Sequence, residues 1–412
     1  MPYRLLKYGL NSHRQPERMW RTSEPRDSYD VVIIGGGVHG LACAYYLAKD
    51  HGITNIAVLE SGYIGGGGSG RNTAIIRSNY LTPEGARFYD ESVKLYENLS
   101  QTLDFNLMFS QRGHLTLAHS DASLRIMRQR AETNQICGID SRVLTPKEVK
   151  EIVPHLDTSD RPRYPILGAL YHPPGGIIRH DAVVWGYARG ADRRGVDILQ
   201  QTACEDILVE GGRVVGVNTN RGRIKTNKVH NATAGWCTTI TDMVGVRLPV
   251  VTHPLQACVS EPLKPFLDSI IVSGTLHVYV SQSDRGELVM GASIDPYASY
   301  SMDSTLGFLE GLCAHILELF PMLHNVRILR QWAGICDMTP DYSPIIGLTS
   351  VKGFTVDVGW GTYGFKAGPV AGKYCAELIA TDQVSDSIAP FRLARFAEGK
   401  LVGEKGAASV GH

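Results

Sequence analysis

DVVIIGGGVHGLACAYYLAKDHGITNIAVLE, residues 30–60, sets out a strand, a glycine turn, a helix and a second strand in succession. The apolar run Val31 to Ile34 stops at Gly35, and Gly35-Gly36-Gly37-Val38-His39-Gly40 satisfies G-x-G-x-x-G. An Ala/Leu-rich helical segment leads to a second apolar run, Ile56 to Leu59, which ends in Glu60. The acid falls twenty residues after Gly40, and this strand–helix–strand–acid frame gives the glycine pattern its meaning. Gly35 permits the tight turn, Gly37 lets the backbone approach a pyrophosphate, and Gly40 allows close strand–helix contact. The helix N-terminus at Val38 and His39 offers free N–H groups and a positive dipole end to phosphates. Glu60 is placed to hydrogen-bond both ribose hydroxyls of an adenosine half. The stretch predicts a dinucleotide site.

Past Glu60 the chain enters a glycine-dense loop, Gly62 to Gly70, followed by RNTAIIRSNY (71–80). Four successive glycines at 65–68 suit a backbone lying against a flat ligand rather than a helix or strand interior. Thr82-Pro83 reads as an N-cap and first helical residue, opening a helix with Tyr89, Val93 and Tyr96 on one face. Residues 107–119 alternate as a strand, 122–134 form a charged helix, and 145–153 form a short capped one. From Gly195 the pattern becomes hairpins with turns at Gly211-Gly212 and Arg221-Gly222, and 250–261 and 277–294 read as antiparallel strands. Ser304 is expected to cap a helix with the stripe Leu309, Leu312, Ile316 and Phe320. A second glycine turn, Gly359 to Gly364, precedes a helix expected from about Gly368 to Ile379. Both ends of the chain therefore contribute to one cofactor domain (1–85, 166–249 and 331–412), with 86–165 and 250–330 inserted as a second.

Composition narrows the function class. Lys+Arg and Asp+Glu are both 41, so no overall field favours nucleic acid or an anionic membrane. No apolar run reaches the ~18 residues needed to span a bilayer. The first thirty residues are polar and mixed, which predicts an arm reaching onto a neighbour rather than a signal peptide. Eight scattered cysteines without a CxxC pair read as reduced thiols of a cytoplasmic protein. The tail, GEKGAASVGH, reads as an ordered or fraying terminus and says nothing about chemistry. No Ser/His/Asp nucleophilic set and no metal-ligand spacing is present, which argues against hydrolases and metalloenzymes.

Several segments together carry a more specific signal: DVVIIGGGVHG…VLE, GGGGSGRNTAIIRSNY, FSQRG (109–113), THPLQACVSE (252–261), HVYVSQ (277–282), ELVMGA (287–292), RQWAGICDMTPDYSPIIG and GWGTYGFKAGP. In these the chain resembles, over nearly its whole length, the D-amino-acid oxidase/sarcosine oxidase family of flavoproteins, and within it the β subunits of heterotetrameric sarcosine oxidases. The resemblance implies an α/β fold: a Rossmann-like FAD-binding domain of the glutathione-reductase type with an inserted antiparallel-sheet α+β substrate domain. It implies non-covalent FAD at the substrate site and a second flavin, FMN, attached through a histidine and shared with a partner chain. The partners implied are other subunits of a hetero-oligomeric oxidase (α, γ and δ type). His180, in IRHDAVVWGYARGADRRGVDI, matches the attachment position, and His172 is the competing residue. Asp181 is expected to orient the His180 ring.

For the substrate the resemblance implies Arg77 as a carboxylate-binding arginine, Lys366 as a second cation near the flavin, and Tyr80 as a weaker candidate. Arginine offers a bidentate fork and lysine a point charge, a pair suited to clamping a small amino acid. The positions assigned to FAD are Gly35, Gly37, Val38, His39, Gly40 and Glu60 in the first turn, and Gly68, Arg71, Asn72 and Ile76 in the loop after it. Cys204, Gly361, Gly364, Phe365 and Lys366 complete that set. Cys336 is expected to be a buried, inert thiol. Where monomeric relatives place an oxygen-assisting lysine, this chain reads GluLeuValMetGlyAla, which favours an electron outlet through FMN. The implied reaction is oxidation of a secondary amino acid, sarcosine foremost, to an imine that hydrolyses to glycine and formaldehyde or passes its carbon to tetrahydrofolate on a partner chain. Electrons would leave through FMN to O2, giving H2O2. Competing readings are another secondary amine (proline, hydroxyproline, dimethylglycine or an opine), a non-catalytic FAD-holding scaffold, and a NAD(P) site, the last disfavoured by the single GxGxxG frame.

Overall fold

The computed structural model of the chain describes Tyr3, Leu6, Gly9, Leu10 and residues 18–407. The opening stretch forms the expected unit: β1 (Val31–Ile34), α1 (Val38–Asp50) and β2 (Ile56–Leu59). Every residue of β1 and β2 is buried, as unbroken apolar runs must be when helices or loops cover both faces of a parallel sheet. β1 lies between β2 and Val229–Asn231, with Val32 opposite Ala57 and Val229. Asp197–Leu199 and Phe354–Val358 extend the sheet in parallel, and Ile345–Leu348 closes one edge antiparallel. Against this sheet α1 packs on Gly364–Thr381, the helix that follows the second glycine turn. A Cβ on Gly372 would come within 2.4 Å of the Ala42 Cβ, so small residues set how closely the two helices approach.

The second layer is an eight-stranded sheet in the order Ile328–Met338, Val251–Pro262, Glu287–Ile294, Val278–Gln282, Ile270–Ser273, His114–Ala118, Gly168–His172 and Arg142–Leu144. All its pairs are antiparallel except His114–Ala118 with Ile270–Ser273. Segments 166–249 and 331–412 thus each supply residues to this sheet. The helix Pro83–Thr102 buries Phe88, Tyr89, Val93 and Tyr96 in the core shared with α1 and Gly364–Thr381. Its N-cap is Thr82, whose side chain accepts from the Gly85 amide.

Several boundaries differ from the sequence reading. The helix Leu306–Leu319 is capped by Thr305, not Ser304, its buried stripe is Leu312, Ile316 and Leu319, and Phe320 is buried just beyond it. The last long helix starts at Gly364, directly out of the glycine turn. The strand expected over 107–119 is two pieces, Ser110–Gln111 and His114–Ala118, parted where Gly113 adopts φ +88. The described part of the expected N-terminal arm folds back on its own chain: Arg21 Nε lies 2.8 Å from Asp192 Oδ1, and Arg26 Nε 2.8 Å from Asp197 Oδ2. The rest of that arm, apart from the four residues named above, lies outside the described residues, as do residues 408–412 of the tail. Among the described residues no helix is long and apolar enough to cross a membrane.

Candidate active site

The carboxyl ends of β1 and β2 open into a cavity of about 660 Å³. At its floor Gly35 sits at φ +114, where a Cβ would come within 2.4 Å of the Ala232 carbonyl oxygen. A Cβ on Gly40 would come within 2.1 Å of the Gly35 oxygen, so only glycine lets α1 begin this close to the strand. Gly37, the residue before α1, makes no side-chain cap, which leaves the helix's first N–H groups for a ligand or a neighbour. One of them, Val38 N, donates to Ser69 Oγ at 2.9 Å. The Glu60 carboxylate accepts from Gly36 N at 3.0 Å and from Gly62 N at 2.8 Å. Each oxygen keeps further acceptor capacity for a hydroxyl.

The second glycine turn forms the opposite wall. Gly359 N and Gly361 N donate to Asp337 at 2.6 and 3.1 Å, and burial pushes the Asp337 carboxyl up to about 6. His39 joins the two turns: its Nδ1 donates to Asp357 Oδ2 at 2.9 Å and its Nε2 to the Gly364 carbonyl at 2.8 Å. Burial disfavours the imidazolium, but the charge and hydrogen bond of Asp357 outweigh it, and the His39 pKa is raised. Trp360 Nε1 donates to the other Asp357 oxygen at 2.7 Å.

Arg77 and Lys366 both line the cavity and are buried. The Arg77 guanidinium donates from Nη1 to the Asn79 carbonyl and Oδ1 and from Nη2 to the Ala407 carbonyl. Three of its five N–H groups are thereby held, which fixes the fork and leaves two for a ligand. Lys366 Nζ donates to the Thr362 carbonyl at 3.2 Å. Burial, and then the Arg77 charge, hold its pKa well below the ordinary lysine value. Among the described residues neither cation has a carboxylate partner.

Gly35, Gly37, Val38, His39, Glu60, Gly68, Arg71, Asn72 and Cys204 line the cavity, as do Gly361, Gly364, Phe365 and Cys336. The Cys336 thiol is buried, and burial pushes its pKa up to about 12. Gly40, Ile76, Tyr80 and His180 do not line it. Ile76 pairs with Gly176 in a small sheet under the loop. Tyr80 is fully buried behind Arg77, its ring stacked 3.8 Å from that of Tyr89, because two flat rings gain more from packing together than from facing a wet cavity.

His180 is half-buried at the start of the helix His180–Asp192. Burial lowers its pKa, which favours the neutral ring. Asp181 does not orient it, contrary to the sequence expectation: its carboxylate is taken by Arg179 at 2.6 Å and by the Ala182 amide at 2.8 Å. His172 is fully buried with both ring nitrogens engaged, Nδ1 by the Asp140 carbonyl at 2.8 Å and Nε2 by the Ser78 amide at 3.2 Å. Sequence reasoning missed Ser69, His114, Asp337 and Asp357. For Asp357 the signal was there, a lone acid inside the apolar run PheThrValAspVal.

A glycine-floored cavity at strand carboxyl ends, with free helix amides at one side and a braced acid beyond them, fits FAD. The comparisons agree. Residues 30–378 match the family model for FAD dependent oxidoreductases. The sarcosine oxidase subunit beta of Arthrobacter sp is 48% identical over 397 residues, covering 96% of this chain and 98% of that one. Its counterpart from Rhodobacter capsulatus is 46% identical over 410 residues, covering 100% and 99%. The crystal structure of L-proline dehydrogenase from P. horikoshii superposes with a TM-score of 0.86 at 29% identity, covering 92% of this chain and 100% of that one. With that match over most of its length, the chain belongs to the FAD dependent oxidoreductase family, and it is an amine oxidoreductase.

Proposed function

We propose that the chain is the FAD-holding, substrate-oxidising subunit of a hetero-oligomeric oxidase and that its substrate is a secondary amino acid, sarcosine foremost. The observation that carries this reading is the pair Arg77 and Lys366, two buried basic side chains on one cavity without a carboxylate partner among the described residues. Buried charge of one sign is costly until an opposite charge arrives, so the cavity favours an anionic ligand. A carboxylate meets the free edge of the Arg77 fork and the Lys366 ammonium. Held this way, the substrate's amine and N-methyl C–H would be left free to meet the FAD that the glycine-floored part of the cavity would hold. When bound, FAD supplies the two-electron acceptor for that C–H bond.

Lys366 adds a proton path. Its depressed pKa lets the free amine of Nζ take the proton that the substrate ammonium must lose before oxidation, and the resulting ammonium then pairs with the carboxylate. The product imine hydrolyses to glycine and formaldehyde.

His180 is the proposed attachment residue for FMN shared with a partner subunit, a second flavin that supplies the outlet to O2. Burial favours the neutral ring of His180, and a neutral imidazole keeps one lone pair for bond formation, whereas His172 has neither nitrogen free.

Anaerobic mixing of the purified, flavin-loaded protein with sarcosine tests the substrate reading. Bleaching of the oxidised flavin band is expected with sarcosine and not with dimethylamine, which lacks the carboxylate. Bleaching by proline but not sarcosine would select the alternative amine. Reduction by none of the secondary amino acids would leave the scaffold reading.

A further inference from the structure

His114 opens the strand His114–Ala118 and lines the same cavity as Arg77 and Lys366. It is 2% exposed, and its backbone is held on both sides, by Ile270 in parallel and His172 antiparallel. Nδ1 is sealed from solvent without a hydrogen-bond partner, and among the described residues Nε2 has none either. A stranded N–H is rarer in folded proteins than a stranded lone pair. The proton therefore resides on Nε2, the nitrogen that a ligand in the cavity can reach. Burial, followed by the charges of Arg77 and Arg130, His172 and Lys366, keeps the ring neutral.

We propose that His114 is a specificity-determining residue of the substrate site, whose Nε2–H joins Arg77 and Lys366 in holding the substrate carboxylate. The assignment rests on the carboxylate reading given above. A further full charge here would add repulsion to Arg77 and to the ammonium that Lys366 becomes on taking the substrate's proton, in low dielectric. A neutral donor adds a hydrogen bond to the anion without that cost. A leucine would fill the same volume without burying unsatisfied nitrogens, so the position carries a penalty that only a polar ligand offsets. Placement on a strand paired on both edges fixes the ring better than a loop could.

The test titrates flavin-loaded protein by calorimetry with two half-substrates, acetate and dimethylammonium. In His114→Leu acetate affinity should fall about tenfold, the scale of one hydrogen bond to a charged group, with dimethylammonium unchanged. His114→Gln, whose amide reaches about as far as Nε2, should stay within about threefold of the parent for both probes. If His114→Leu does not fold, His114→Asn, whose amide stops short, replaces it with the same expectation. Parental acetate affinity in His114→Leu overturns the proposal. So does an equal loss for both probes in the Leu and Gln variants, which would mark a purely structural histidine. A parent protein that binds no acetate removes the Arg77–Lys366 reading and this one with it, an outcome distinct from the other two.

Discussion

His39 Nδ1 lies 2.9 Å from Asp357 Oδ2, with the aspartate fully buried and the histidine nearly so. This pair ties the start of α1 to the end of Phe354–Val358, so the two glycine turns on either side of the cavity are held in one frame. Replacing Asp357 by Asn should cost about 3 kcal/mol, the penalty of leaving one member of a buried pair alone. The loss depends on pH in a stated direction. The His39 pKa is raised in the folded chain, so its contribution is complete below about pH 6.5 and fades as pH climbs through the raised value. Urea midpoints of both proteins at pH ~6 and ~9 should show the gap narrowing at the higher value. A gap that widens with pH would contradict a charged His39.

Glu60→Ala should weaken FAD retention by about 1.5–3 kcal/mol if the carboxylate is the charged acceptor for the ribose, as proposed. The amides of Gly36 and Gly62 lose their partner as well, so Glu60→Gln should recover part of the loss. Flavin released on dialysis measures both. Equal retention in the Ala variant and the parent would remove the ribose assignment.

Arg77→Lys keeps the charge and loses the fork. A lysine cannot also reach Asn79 and Ala407 as the guanidinium does, and KM for sarcosine should rise about tenfold or more. An unaltered KM for every substrate that turns over would make Arg77 a structural residue.

His180→Ala should leave FAD bound and reducible by substrate, while flavin retained in an acid precipitate disappears and turnover with O2 collapses. His172→Ala should instead lower stability by about 1–3 kcal/mol, because the groups it satisfies are buried. Mass spectrometry of the tryptic peptides decides between them: flavin mass on the His172 peptide, or on neither, sinks the assignment.

What the sequence shows well is local. The periodicity of residues 30–60, the Thr82-Pro83 start and the glycine turns all act within a few positions, and each appears in the fold where its residues stand. Adjacent hydroxyls blur an N-cap, which is why Thr305 rather than Ser304 begins its helix. Contacts across the chain leave weaker traces. Asp357 could be seen as an acid out of place, but not as the partner of a histidine 318 positions earlier. Tyr80 sits beside Arg77 in sequence, and only packing against Tyr89 reveals that its ring is turned away from the cavity. His114 carries no motif, and the lack of a side-chain partner for its ring among the described residues is visible only in three dimensions.

The bond from Arg77 to the Ala407 carbonyl spans 330 positions. A ribosome adding ~5–20 residues per second takes roughly 16 to 66 seconds to cover that span. Throughout that interval the nascent chain already carries its dinucleotide turn but lacks one of the contacts that lock the guanidinium. The far wall of the cavity, Trp360 to Lys366, leaves the ribosome almost as late as the carbonyl that steadies Arg77, so the cavity and its guanidinium brace are finished together. Neither is complete until the last tenth or so of the chain has been made.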